Sequence, residues 1–193
     1  MRILIVNVNT TASITEAIAR QAQAVAAPGT EIVGLTPYFG ADSVEGNFES
    51  YLAAIAVMDR VLAYDQPYDA VIQAGYGEHG REGLQELLDV PVVDITEAGA
   101  STAMFLGHAY SVVTTLDRTQ DDKAEVICLG CGGMAGLDEQ IRQRTGVPVV
   151  DGVTAAVTIA ESLVRLGLST SKVRTYAKPR PKQIIGWPGH LRR

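Results

Sequence analysis

The amino-acid sequence predicts an α/β fold built as two pseudo-symmetric parallel-sheet halves, with a ligand site in the cleft between them. Three observations carry this expectation. Short apolar runs bounded by turn residues alternate with helical patterns, as expected of buried parallel strands joined by helical crossovers. The pentapeptide Val-Pro-Val-Val-Asp occurs twice, at Val90–Asp94 and Val147–Asp151, each time between a strand–turn–helix unit and a further helix. An internal repeat of this kind sets the architecture. Finally, two apolar runs end in glycine-rich turns, Gly75–Gly80 and Gly130–Gly133, at the carboxyl ends of strands, where open α/β sheets bind ligands.

In order, residues 2–8 read as a buried strand, with Asn7, Asn9, Thr10 and Thr11 clustered at its end before a helix over Ser13–Val25. Thr and Ser there suit an N-cap and a ligand contact equally well. Pro28-Gly29 is a turn and Glu31–Leu35 a strand. Residues 37–46 form a loop bearing Asp42, Ser43 and Glu45, either a lid or a connection. Apolar residues at helical spacing run from Phe48 to Ala63 and read as core. Asp69–Ala74 is the third strand, a helix follows over Glu82–Leu88, Val90–Ile95 is the fourth strand, and Glu97–Leu106 is a helix. The second half reads as a strand over Tyr110–Leu116 ending in Thr114 and Thr115, a strand over Ala124–Cys131, a helix over Leu137–Arg144, the strand Val147–Asp151 and a helix over Val153–Leu166. The halves divide as 1–100 and 101–175, with 176–193 as a tail. Only Asp117–Lys123 separate the first two strands of the second half. A parallel neighbour needs a dozen or more residues of crossover, so either a segment is missing here or this half is built differently.

Cys131 is the candidate reactive centre. It follows the apolar run Val126–Leu129, and Gly130, Gly132 and Gly133 permit a sharp turn around it. If the amides after it open the next helix, the thiol sits at the positive end of a helix dipole, which favours thiolate and binds anions. Cys128, inside the run, reads as a small buried hydrophobe.

The 193 residues are 47% hydrophobic, enough for a sizeable core, and the formal net charge is −6. An acidic chain lacks the basic face that nucleic acid or an anionic membrane requires, so a small molecule is the expected partner. Two cysteines three positions apart, without a second pair or spaced histidines, argue against a disulfide framework or a metal site. The amino-terminal strand is too short for a signal peptide and no apolar run approaches a membrane span; the expected location is the cytoplasm.

With these residues in hand, the sequence resembles the Asp/Glu/hydantoin racemase superfamily, nearest its hydantoin and allantoin racemase branch. The matching segments are Asn7-Val-Asn-Thr-Thr11, Ser43-Val-Glu-Gly46, Ser111-Val-Val-Thr-Thr115, Leu129-Gly-Cys-Gly-Gly-Met134 and Val147-Pro-Val-Val-Asp-Gly152. The resemblance implies a cofactor-independent enzyme, commonly a homo-oligomer, with one catalytic cysteine on each half. One thiolate removes a proton next to a carbonyl while the opposite thiol returns one to the other face. It makes Cys131 the second-half cysteine and Gly132 and Gly133 its anion-binding turn. It places Asn9, Thr10, Tyr76, Gly77, Thr114 and Thr115 near the substrate. Where the family has its first-half cysteine, this chain has Gly75. His79 or Glu78 could supply the second acid/base. Alternatively, a single cysteine opposite a glycine resembles the arylmalonate decarboxylase branch, or the chain binds its ligand without turning it over.

Overall fold

The computed structural model describes residues 1–113, 125–182, 184 and 185. The order is β1 (Arg2–Val6), α1 (Ala12–Val25), β2 (Glu31–Leu35), α2 (Asn47–Leu62), β3 (Ala70–Gln73), α3 (Arg81–Leu87), β4 (Val92–Asp94) and α4 (Ile95–Ala103). Then come β5 (Tyr110–Val113), β6 (Val126–Leu129), a one-turn 3-10 helix (Gly132–Met134), α5 (Asp138–Thr145), β7 (Val149–Asp151) and α6 (Gly152–Arg165). The strands form two sheets, β2-β1-β3-β4 and β5-β6-β7, parallel throughout.

Strand β1 shows why the apolar runs are continuous rather than alternating. Ile3 and Ile5 point into one core with Ile72, Ile18 of α1 and Ile95 of α4. Leu4 and Val6 point the other way, onto Val57 and Val61 of α2 and Leu84 of α3. Both faces of the first sheet are therefore covered, and each large side chain buried there contributes roughly 1.5–3 kcal/mol relative to exposure. The first core does not stop at the half boundary. Val126, Cys128 and Val150 of the second sheet belong to it, as do Val153, Ala156, Val157 and Ala160 of α6.

Two helices join the halves by packing across. Helix α4, which follows β4, packs on β6 and β7, and α6, which follows β7, packs on β3 and β4. The two helices also pack on each other, where a Cβ on Gly152 would stand 2.5 Å from the Ile95 carbonyl oxygen. The boundary expected at residue 100 falls inside α4. Among the described residues the outer face of the second sheet is thinly covered: α5 buries none of its residues, and Tyr110 and Val113 of β5 are exposed.

Strands β5 and β6 pair in parallel; residues 114–124, between them, lie outside the described residues. One expectation is corrected: the amides after Cys131 do not open α5. They enter the 3-10 turn, and α5 begins only at Asp138, so its dipole does not act on the thiol. The tail folds back: Lys172 Nζ reaches the Gln85 and Glu86 carbonyls, and Lys178 pairs with Asp89. No helix among the described residues is long and apolar enough to cross a membrane.

Candidate active site

The duplicated aspartates locate the site. In the first sheet Asp94 is the register partner of Gln73, two residues before Gly75; in the second, Asp151 is the partner of Leu129, two residues before Cys131. Gly75 and Cys131 hold equivalent positions at the carboxyl ends of β3 and β6. Both line a cavity of about 790 Å³, within the usual size of a small-molecule site.

The Cys131 side is built on a tight turn. Gly130 N–H donates to the Val113 carbonyl at 2.7 Å, and the Cys131 carbonyl accepts from Met134 N–H at 3.0 Å. The amides of Gly132 and Gly133 precede the first bond of the turn and so have no acceptor within it; both residues line the cavity beside Cys131. A Cβ on Gly132 would lie 2.8 Å from the Ala74 carbonyl oxygen and 2.9 Å from Ile18 Cδ1. The turn therefore rests directly on the end of β3. Cys131 is part-exposed and Cys128 is buried. The Cys128 thiol points to the Gly99 carbonyl at 3.6 Å, and burial pushes its pKa up to about 11, which suits an inert core residue.

On the Gly75 side the ground is occupied. A Cβ there would meet Val8 Cγ1 at 2.4 Å and His79 Cδ2 at 2.7 Å. His79 lines the cavity, is buried, and places Nδ1 3.0 Å from Ser50 Oγ. Burial lowers its pKa below the usual 6.5, against the opposing pull of the Tyr76 backbone, Glu78 and Asp94. Tyr76 also lines the cavity; burial above all raises its pKa to about 12, leaving a protonated phenol at neutral pH. Glu78 is turned away from the cavity. Its carboxylate accepts the Gly80 amide at 3.0 Å and pairs with Arg81 at 3.3 Å. Gly77 donates its amide to Thr96 Oγ1 at 2.8 Å.

Asn7, at the end of β1, organises the remaining floor. Its amide nitrogen reaches Asn9 Oδ1, the Thr11 carbonyl and Thr15 Oγ1 at 2.9, 3.2 and 3.1 Å, and its oxygen accepts Val8 N–H at 2.8 Å. Asn9 lines the cavity. Thr10 and Thr11 serve a different purpose: Thr10 N–H and Oγ1 both donate to the Ala41 carbonyl, and Thr11 Oγ1 donates to that of Asp42. Thr11 is the N-cap position of α1 yet makes no side-chain cap. These bonds hold the 37–46 loop over the site, where Asp42, Ser43 and Glu45 line the cavity with Asn47 and Ser50 of α2. Thr114 and Thr115 lie outside the described residues.

Sequence reasoning underrated Asn7 and missed Ser50 altogether. The signal for Asn7 was an amide ending a fully apolar strand; for Ser50 it was a polar pair, Asn47 and Ser50, on the first turn of an otherwise core-facing helix. Among the described residues, no group of three His, Cys, Asp or Glu is gathered closely enough to hold a metal ion.

A two-lobed α/β chain with a cysteine-bearing glycine turn and a histidine-bearing loop on one small-molecule cavity has the build of an enzyme acting on a compact substrate. The Asp/Glu/Hydantoin racemase family model matches residues 3–121 and 116–160, and the chain belongs to that family. A hydantoin racemase from Paenarthrobacter aurescens is 33% identical over an aligned length of 236 residues, covering 96% of this chain and 100% of the relative. That length exceeds the 193 residues here, and the two family matches overlap at residues 116–121. An allantoin racemase structure from Pseudomonas fluorescens is 72% identical, with a TM-score of 0.94, covering 96% of this chain and 100% of its own. An arylmalonate decarboxylase variant shares the fold alone, at 16% identity and a TM-score of 0.57, covering 89% of this chain and 96% of its own.

Proposed function

We propose that this chain racemises a five-membered cyclic ureide, allantoin in the first instance, by moving the proton at C5 between Cys131 on one face and His79 on the other. The observation that carries this reading is the placing of both side chains on one cavity, from equivalent loops of the two sheets. The racemase relatives support it, and identity to the allantoin enzyme favours that substrate.

The chemistry follows from the groups present. The buried His79 is neutral at pH 7, so in one direction its imidazole takes the C5 proton, and the electron pair left on carbon delocalises onto the adjacent carbonyl oxygen. The Cys131 thiol then returns a proton to the opposite face, leaving imidazolium and thiolate. In the other direction these two exchange roles. Charge on the oxygen is met by the Gly132 and Gly133 amides, Asn9 and the Tyr76 hydroxyl, a preorganised set of donors. The 42–50 wall supplies carboxylate, hydroxyl and amide groups, and a ureido substituent rich in N–H donors matches it better than an alkyl group. The reading includes action without a cofactor, a cytoplasmic location and assembly as a homo-oligomer.

A second reading rests on Gly75, which carries no acid. There Cys131 alone protonates a carbanion on one face, as in a lyase that decarboxylates a malonate-like acid. One experiment separates the two: proton NMR with polarimetry on enantiopure allantoin in deuterated water, for the parent and Cys131→Ser. Racemisation predicts loss of both the C5 proton and the rotation, slowed about 10²- to 10⁴-fold in the variant, the usual weight of a positioned acid or base. Exchange with rotation retained supports the one-faced reading. If neither signal outpaces the blank, the racemase assignment fails.

A further inference from the structure

The two copies of Val-Pro-Val-Val-Asp do more than mark a repeat. In the second half, Asp151 touches the Cys131 segment at both ends. Its backbone is the register partner of Leu129, just before the cysteine. Its Oδ2 accepts Gly136 N–H at 2.9 Å, just after the turn, while Oδ1 caps α6 through Val153 N–H at 2.8 Å. The side chain is almost fully buried, at 3% exposure. An N-cap needs only one oxygen; the second is spent on the loop.

The first half repeats the plan with other atoms. Asp94 is the register partner of Gln73 and caps α4 through Glu97 N–H at 2.7 Å. Its other oxygen holds Arg81 Nε at 3.2 Å, at the far end of the Gly75–Gly80 loop. Arg81 is itself largely buried and pairs with Glu78 and Glu97 as well. Two residues past Asp94, Thr96 Oγ1 takes the Gly77 amide. Each aspartate thus brackets one loop, fastening its strand end by backbone pairing and its exit by a carboxylate oxygen.

We propose that Asp151 and Asp94 are positioning residues, each setting the aim of the acid/base carried on the loop it brackets: Cys131 for Asp151, His79 for Asp94. The bond to Gly136 fixes where the 3-10 turn ends, and with it the direction in which Cys131 leaves β6. The Arg81 link does the same for His79, two residues upstream. Misplacement of a reacting group by about 1 Å can cost a hundredfold in rate, so one lost anchor suffices to matter.

The test compares Asp151→Asn with Asp151→Ala, and Arg81→Gln with Thr96→Val, in the full chain. Asparagine keeps an oxygen for the α6 cap but turns an N–H toward Gly136. Asp151→Asn is therefore expected to fold, with a smaller melting loss than Asp151→Ala, while alkylation of Cys131 by iodoacetamide, assigned by peptide mass spectrometry, changes about threefold or more. With enantiopure allantoin, kcat should fall about tenfold or more with KM nearly unchanged. The kinetic arm rests on the racemase reading; the alkylation arm does not, so an inactive parent would sink that reading and leave this inference standing on Cys131 reactivity. Should Asp151→Ala fail to fold, Arg81→Gln and Thr96→Val carry the same kcat expectation on the first-half loop without touching a helix cap. The inference is overturned if Asp151→Asn matches the parent within twofold in alkylation and kcat, for then Asp151 is only a helix cap.

Discussion

The His79 ring stands where a side chain at position 75 would go: a Cβ built on Gly75 comes 2.7 Å from His79 Cδ2. The first-half loop is therefore packed around a glycine. Gly75→Cys should displace His79 and Val8, which lies 2.4 Å from the same Cβ, at the roughly 1–3 kcal/mol typical of overpacking. That corresponds to a melting point lower by about 2–12 °C at this chain length. Trimming the other neighbour in Gly75→Cys/Val8→Ala should recover part of the loss. A melting point unchanged in the single variant would contradict the packing described.

On the proposed mechanism His79 gives the rate an acid limb. Burial lowers its folded pKa from 6.5, so the imidazole keeps its neutral form to lower pH than a free imidazole does. The rate should fall toward acid pH with a midpoint below 6.5, and His79→Gln should remove that limb along with most of the activity. The linkage to stability has the same direction. The unfolded chain takes up this proton first as pH falls, so His79 contributes stability above 6.5 that is lost as pH falls through its folded pKa. Melting curves at about pH 5 and pH 7 for parent and His79→Gln check this, with the smaller difference expected in the variant.

Asn7 holds together the end of β1, the start of α1 and Asn9. Asn7→Leu leaves the buried Val8 N–H without its acceptor, and an orphaned buried donor costs about 1–3 kcal/mol. Thermal unfolding should show that loss. The KM for allantoin should also rise, because Asn9 loses the partner that orients it.

Gly132 lets the Cys131 turn touch the end of β3. In Gly132→Ala the new Cβ would lie 2.8 Å from a carbonyl oxygen of the backbone, which cannot swing aside as a side chain can. Activity should fall by about tenfold or more, with a melting loss of about 1–3 kcal/mol. Gly133→Ala, whose Cβ would meet nothing closer than Cys131 Sγ at 3.6 Å, should be milder on both counts, and equal effects would argue against the close approach.

The 42–50 wall should select the C5 substituent. Glu45→Leu is expected to lower kcat/KM for allantoin and to raise that for 5-benzylhydantoin relative to it, read as a ratio of the two rates. An unmoved ratio would remove the wall from specificity.

Much of this arrangement was legible in the chain. The repeat around Asp94 and Asp151, the strand ends and the glycine turn at Cys131 are written in local pattern, because parallel strands buried on both faces leave unbroken apolar runs and ligand-binding turns leave glycines. Other features were not legible, for physical reasons. The 3-10 turn at Gly132–Met134 looked like a helix start because glycines permit either geometry, and only the contact with Ala74 decides. Thr10 and Thr11 carry the residue types of a cap, yet their partners lie some thirty positions away in the 37–46 loop. Glu78 and His79 are neighbours with opposite fates. One is drawn off to Arg81 and one is turned inward to Ser50, a choice made by tertiary partners that no spacing announces.

The exchange of α4 and α6 between the sheets has a consequence for how such a site changes over generations. Each half covers the other's sheet with its last helix, which is the geometry of a two-fold pair that has traded helices and been joined into one chain. In a pair of separate identical copies, symmetry makes every substitution appear on both sides of the cleft at once. Joined in one chain, the two sides are free to differ, as Gly75 and Cys131 do at equivalent positions of the two sheets.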